Sequence, residues 1–235
     1  MLSAQFRQQV EVATQNFWNK EIRAPFFTKV AQGSEIGHRI ADFVSDKTTT
    51  FLAGQFPATF QRNQRGGKVP RSMGDIWLKY KDIYHPVNVK TSIAENGGQP
   101  NMVSLKKLLV ALLEKRIDSY YLLFIKISRS GARLSVEVHF VDMLDYLPYV
   151  TFDSGPGQVM LRSSAFFEAR EHNHVLKEKS LSEKVSTLIA LLEDGERRLV
   201  RNRRAALAAI KKSAGRYNHA HHIVKPEAQV IFNLQ

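Results

Sequence analysis

The chain has 235 residues, and its 34 Lys and Arg against 22 Asp and Glu leave a formal charge of +12, which favours a polyanionic partner through long-range attraction and counterion release. Nucleic acid fits that charge better than an acidic membrane does, because the basic residues accompany an ordinary globular share of apolar residues rather than a basic amphipathic tail. The absence of Cys excludes disulfides and thiolate-bound metals, so any metal must use oxygen or nitrogen ligands.

The length predicts one domain with a sizeable core, residues 1–235, with an appended helical region. Polar residues interrupt every apolar stretch of MLSAQFRQQVEVATQNFW, unlike a signal peptide, and no segment has the length of a membrane span. A soluble cytoplasmic protein is the default expectation.

The first twenty residues suit an amphipathic helix. A second begins at Ser34, a plausible N-cap, with Ile36, Ile40, Phe43 and Val44 at helical spacing. The following polar stretch, QRNQRGGKVPRSMG, sets Arg62, Arg65, Lys68 and Arg71 among turn formers and reads as a basic surface loop, a candidate for contacting DNA. DIWLKY and PVNVKTS are short and rich in β-formers, which predicts adjacent antiparallel strands joined through KDIYH, with Asp82 suited to the turn.

Asn96, Gly97, Gly98 and Pro100 break the chain. A helix is expected from Asn101 to about Arg116, where Met102, Leu105, Leu108, Leu109 and Leu112 recur. YYLLFIKIS fits a strand buried on both faces, and LSVEVHFV alternates as a half-buried one, the two joined by residues 129–133. Beyond Leu181 the pattern is helical, interrupted near Gly195, then strongly basic over about 181–216. The order of elements implies α/β (α+β): a mixed central sheet flanked by helices.

Hydrolysis of a phosphodiester needs a divalent cation, oxygen ligands to hold it, and a positive group near the attacking water. In GDIWLKYKDIYHPVNVKTS, Asp75 opens one strand while Asn88 and Lys90, two apart on the next, face the same side of the sheet. Val89 between them points its side chain away and leaves a backbone carbonyl to serve as a ligand.

Asp75 followed by Asn88, Val89 and Lys90 resembles the PD-(D/E)XK signature of restriction endonucleases and related DNA-processing nucleases. The resemblance implies a restriction-endonuclease-like fold with its catalytic core at about 34–141. It also implies Mg²⁺ held by Asp75, Asn88 and the Val89 carbonyl, and a Lys90 that orients or activates water. Gly74 replaces the signature's proline and Asn88 its second acid. An asparagine oxygen is neutral and weakens the hold on Mg²⁺; it is compatible with catalysis, because a few restriction enzymes are similar in carrying Asp, Asn and Lys, and equally with an inactivated protein.

The segment VKTSIAENGGQPNMVSLKKLL resembles the loop by which blunt-cutting, EcoRV-like restriction enzymes approach DNA, which implies DNA contacts at Gln99, Asn101 and Ser104 beside Gly97 and Gly98. Glu35 resembles the glutamate that family members carry on an early helix near the metal, although an acid after a serine N-cap is favoured by the helix dipole anyway. Taken whole, the resemblance implies a prokaryotic type II restriction endonuclease, a homodimer that cuts double-stranded DNA and leaves 5′-phosphates. A repair or recombination nuclease with the same core, or a binding protein that has lost catalysis, stays open.

Simpler readings compete at several positions. Lys90 could be an exposed strand lysine, although it sits beside the predicted buried strand. Thr91 and Ser92 could reach phosphate or merely end a strand. RRLVRNRRAALAAIKK, with Arg201 and Arg204, could lie along a DNA backbone or be a solvated helix face. His219, His221 and His222 lack an i, i+4 pair and a carboxylate, so a surface cluster is the better reading. Trp77 and Phe60 read as packing residues, and Asp145 has no partner visible in the sequence.

Overall fold

A computed structural model describes residues 2–22, 36–62, 73–93, 101–130, 133–153, 157–172 and 176–221. Helix α1 (Ala4–Glu21) is capped by Ser3, whose side chain accepts the Phe6 N–H at 3.1 Å. Its buried residues Val10, Thr14 and Trp18 recur every fourth position and form one face. That face meets helix α2 (Ile36–Gln55), where the buried Trp18 indole donates to Thr48 Oγ1 at 2.9 Å.

Both helices cover one face of a five-stranded sheet. Its strands are β1 (Phe60–Gln61), β2 (Ile76–Tyr80), β3 (Ile83–Ile93), β5 (Tyr121–Ser130) and β6 (Arg133–Asp142), in the order β1-β2-β3-β5-β6. The β3–β5 pair is parallel and the other pairs are antiparallel, so the expectation of a mixed central sheet between helices holds. The predicted β2–β3 pairing is also observed, with Trp77 opposite Pro86. Lys81 and Asp82 alone make the turn, both at positive φ as a primed two-residue hairpin requires, and Ile83 to His85 belong to β3 rather than to a connection.

Alternation along the strands divides the core in two. Val87, Val89, Leu123, Ile125, Val136, Val138 and Phe140 face α1 and α2, while Leu122, Phe124 and Val141 face the second layer. That layer begins with strand β4 (Asn101–Ser104) and helix α3 (Leu105–Leu113). The helix therefore starts four residues later than its apolar spacing suggests, because Asn101–Ser104 pairs with β8 (Gln158–Leu161) in a second sheet of order β4-β8-β7. Strand β7 (Val150–Asp153) comes after a 3₁₀ segment, Met143–Tyr149, and helix α4 (Ser163–His172) after β8.

Helix α5 (Leu181–His221) runs unbroken through Gly195. The glycine is there for packing: a Cβ would lie 1.9 Å from Phe152 Cδ1, so only hydrogen lets α5 close on β7. Nearby, Lys184 donates to Asp145 at 2.6 Å, both almost fully buried. This supplies the partner that the sequence did not reveal for Asp145. It also fastens the base of α5 to the 3₁₀ segment.

Candidate functional site

The site forms at the start of β2, alongside β3. Ile76 lies opposite Val87 in the ladder, and Asp75 N–H also donates to Val87 O at 2.8 Å, one residue out of that register, so the chain enters β2 over an irregular step. Asn88 and Lys90, two apart on β3, share the face turned to the second layer, and the Asp75 charge acts on both Lys90 and Tyr120. The Asp75 carboxylate takes over as ladder acceptor, receiving the Val89 N–H on Oδ2 at 2.7 Å. Because the N–H and C=O of one strand residue leave by the same edge, the Val89 carbonyl lies on the edge occupied by Asp75.

Gly74, which stands where the PD-(D/E)XK signature has proline, is dictated by this geometry. A Cβ there would come within 2.8 Å of Val87 N, 2.9 Å of Val87 O and 3.0 Å of the Pro86 Cβ. No side chain fits, and backbone cannot yield as a flexible side chain can. The glycine follows from how closely the entry to β2 approaches β3.

Asn88 is buried. Its Nδ2 donates to Met102 O at 3.0 Å and to the Tyr120 hydroxyl at 3.1 Å, and its Oδ1 is buried with no hydrogen-bond partner. A buried amide oxygen left unsatisfied is costly, and a cation is one partner that would satisfy it. Lys90 is held below the ordinary lysine range by burial, with the Asp75 carboxylate pulling the other way. The two therefore lie within electrostatic reach of one another.

Tyr120 is the residue that sequence reasoning missed. Fully buried at the head of β5, its hydroxyl donates to Met73 O at 2.7 Å and accepts from Asn88. It thereby ties the chain just ahead of Asp75 to Asn88. Burial raises the phenol well above its ordinary range, the Asn88 hydrogen bond lowers it, and the Asp75 charge adds to the rise, so the hydroxyl keeps its proton and can donate. In sequence it is one more apolar-looking residue of YYLLFIKIS, and nothing local marks its role.

Among the described residues no three His, Cys, Asp or Glu side chains gather as a metal site. The oxygen donors here are one carboxylate, one amide and one main-chain carbonyl. These fit Mg²⁺, a hard cation that takes few protein ligands and keeps several waters. The unsatisfied Asn88 Oδ1 is the observation on which that fit rests.

The remaining candidates scatter. Strand alternation turns Thr91 to the opposite face from Lys90, toward α1 and α2, which removes the geometric reason for its contact with a phosphate at this site; Ser92, buried, shares the Lys90 face. Asn101 and Ser104 stand in β4 rather than in a loop, and Ser104 precedes α3 without a side-chain cap bond. Arg62 is exposed after β1, and Arg201 and Arg204 are exposed on α5. Glu35, Arg65, Lys68, Arg71, Gly97, Gly98, Gln99 and His222 lie outside the described residues, as do the side chains of His219 and His221.

Phe60 is buried in the core, as expected, and Trp77 is half-buried. No helix among the described residues is long and apolar enough to cross a membrane. No protein-family model matches the chain, and no curated protein matches its sequence.

Proposed function

We propose that the chain is a Mg²⁺-dependent endonuclease of the PD-(D/E)XK kind, acting on double-stranded DNA as a type II restriction enzyme and leaving 5′-phosphates. The observation that carries this reading is the meeting of the Asp75 carboxylate, which accepts the Val89 N–H and acts on Lys90, with Asn88 and Lys90 on either side of Val89, Asn88 Oδ1 being buried and unsatisfied. The +12 charge supports a polyanionic substrate.

Asp75, Asn88 Oδ1 and the Val89 carbonyl would hold Mg²⁺, which when bound supplies charge neutralisation at the scissile phosphate. Lys90, kept in a desolvated position beside Asp75, directs its ammonium protons at the attacking water and holds it in place. Tyr120 keeps Met73 and Asn88 in register. A homodimer would present two such sites to the two strands of a palindrome.

One observation favours a second reading. Both protons of the Asn88 amide group serve Met102 and Tyr120, a structural use that a protein binding DNA without cutting it would also retain. Incubating plasmid with Mg²⁺ and sequencing the ends separates the two. Discrete ends from the natural protein, lost with Asp75→Asn and with Lys90→Ala, support the nuclease. Equal background from all three rejects it, and nicks without fragments point to a repair-type nuclease.

A further inference from the structure

Helix α5 changes character along its length. Over 181–196 it carries one Lys against four acids, and its buried residues Lys184, Leu188 and Gly195 pack it on the second layer. Over 197–221 it carries eight Lys and Arg and no acid. Every residue from Val200 to Arg216 is exposed.

This second half is unusual as a helix that stands alone. Among the described residues nothing covers Val200–Arg216, and packing is where most helical stability in proteins comes from. Arg197 and Arg198 find Glu193 and Asp194 one turn back. Further along no acid is available, and like charges such as Arg197 and Arg201, four apart, repel.

The charges are also ordered. Arg197, Arg201, Arg204, Lys211 and Lys212 fall within about 100° of arc and extend for about 22 Å along the axis. Val200, Leu207, Ile210 and Ala214 lie on the neighbouring face, with Arg203 among them. Pairing with a second copy through that apolar strip would bring two such basic stripes together, which opposes self-association. The stripe is complementary to an extended row of negative charges.

We propose that 197–216 is an arm that binds the phosphate backbone of double-stranded DNA without regard to sequence, apart from the Asp75–Asn88–Lys90 site. The choice of duplex DNA rests on the nuclease reading; the arm itself rests on the charge and exposure of α5. Backbone contacts of this kind position a protein and supply affinity, leaving sequence discrimination to other groups.

The test measures binding of the full chain to a synthetic duplex of arbitrary sequence in EDTA, as a function of salt, so that it needs no cleavage. The comparison is with a variant carrying Arg201→Gln, Arg204→Gln, Lys211→Gln and Lys212→Gln together. All four positions are exposed and Gln is a good helix former, so the melting curve stays as in the natural chain. Losing four phosphate contacts flattens the slope of log K against log salt by about 3.6 and weakens binding at least about tenfold at 0.1 M salt.

A second variant, Arg201→Lys with Arg204→Lys, keeps the charge and is expected to keep the slope. An unchanged slope in the Gln variant overturns the arm, as does an absence of duplex binding by the natural chain. Arm-dependent binding to anionic vesicles with no effect on DNA, or loss of self-association in the Gln variant with DNA binding intact, overturns it too. Failure of the arm leaves the plasmid assay unaffected. Arm-dependent binding with no Mg²⁺-dependent cleavage rejects the nuclease alone.

Discussion

Replacing Asn88 with Asp introduces the acid found in the PD-(D/E)XK signature that the sequence resembles, and the structure gives this change two opposed effects. In the absence of metal, the oxygen that replaces Nδ2 faces the Met102 carbonyl, which in the natural chain stands 3.0 Å from a donor. Tyr120 has a single hydroxyl proton, so turning it to the new carboxylate leaves Met73 O, 2.7 Å away, without its donor. A buried acceptor left without a donor costs about 1–3 kcal/mol. At ~2–4 °C per kcal/mol for a chain of this size, a cost of about 2 kcal/mol lowers the melting temperature in EDTA by about 4–8 °C.

With Mg²⁺ present an opposing effect enters, because a carboxylate oxygen takes the place of the unsatisfied amide Oδ1. A tenfold gain in metal affinity is worth about 1.4 kcal/mol at saturation and returns about 3–6 °C. Thermal melts followed by circular dichroism, in EDTA and across a Mg²⁺ series, read the two effects separately. An unchanged melt in EDTA refutes the structural role assigned to Nδ2. A Mg²⁺-induced rise no larger than that of the natural protein places position 88 outside the coordination shell.

Lys90→Met keeps the volume while removing a charge that burial disfavours, so the variant melts higher below the depressed folded value, where folded and unfolded natural chains both carry the proton. The gap closes as pH rises from the depressed folded value toward the unfolded value of about 10.4, because the folded state has then released its proton while the unfolded state still holds it; a gap independent of pH refutes this. Asp142, which accepts from Tyr120 N–H and Leu144 N–H, is pushed up to about 7, first by burial and then by Asp145, with Lys184 opposing. Its folded value lies above the unfolded one, so the natural chain loses stability as pH rises between about 4 and 7, and the advantage of Asp142→Asn grows by up to ~4 kcal/mol over that window and is flat above it. Urea melts at fixed pH values measure this, and a constant difference rejects it. Lys184→Met strands a buried Asp145 and costs about 3–5 kcal/mol, of which Lys184→Met with Asp145→Leu recovers the larger part; a double variant no more stable than the single one shows that the ion pair is not what fastens α5.

Local features were the ones legible in the sequence. The hydrophobic alternation of LSVEVHFV, the continuous apolar run of YYLLFIKIS and the two segments around the hairpin specify β2, β3, β5 and β6 without reference to anything distant. Asn101–Ser104 misled because its strand partner, Gln158–Leu161, lies more than fifty residues on, and a Leu-rich run that continues into a real helix offers no mark of where pairing ends. Gly195 suggested a break because glycine disfavours helix interiors, whereas here the contact with Phe152 requires it. In the site, the same-face placement of Asn88 and Lys90 comes from strand parity alone. The brace formed by Tyr120 joins residues 47 and 32 positions apart, and no periodicity reports such a distance.

The charge of the site decides how the proposed activity would work. Asp75 is the one carboxylate assigned to the metal among the described residues, and the ammonium of Lys90 lies within its field. Protein charge at the centre is therefore near zero before metal arrives, where two acids in the signature positions would leave it negative. A divalent cation gains little from such a centre alone. It gains much more once a DNA phosphate is also present, because the phosphate contributes the negative charge that Asn88 does not. Metal and DNA then raise each other's affinity by the same factor, as linkage requires. A centre that depends on its substrate for charge needs that substrate brought to it by other means. As the proposed arm, the basic half of α5 would do so without metal, because attraction between its charges and phosphate would be independent of the site.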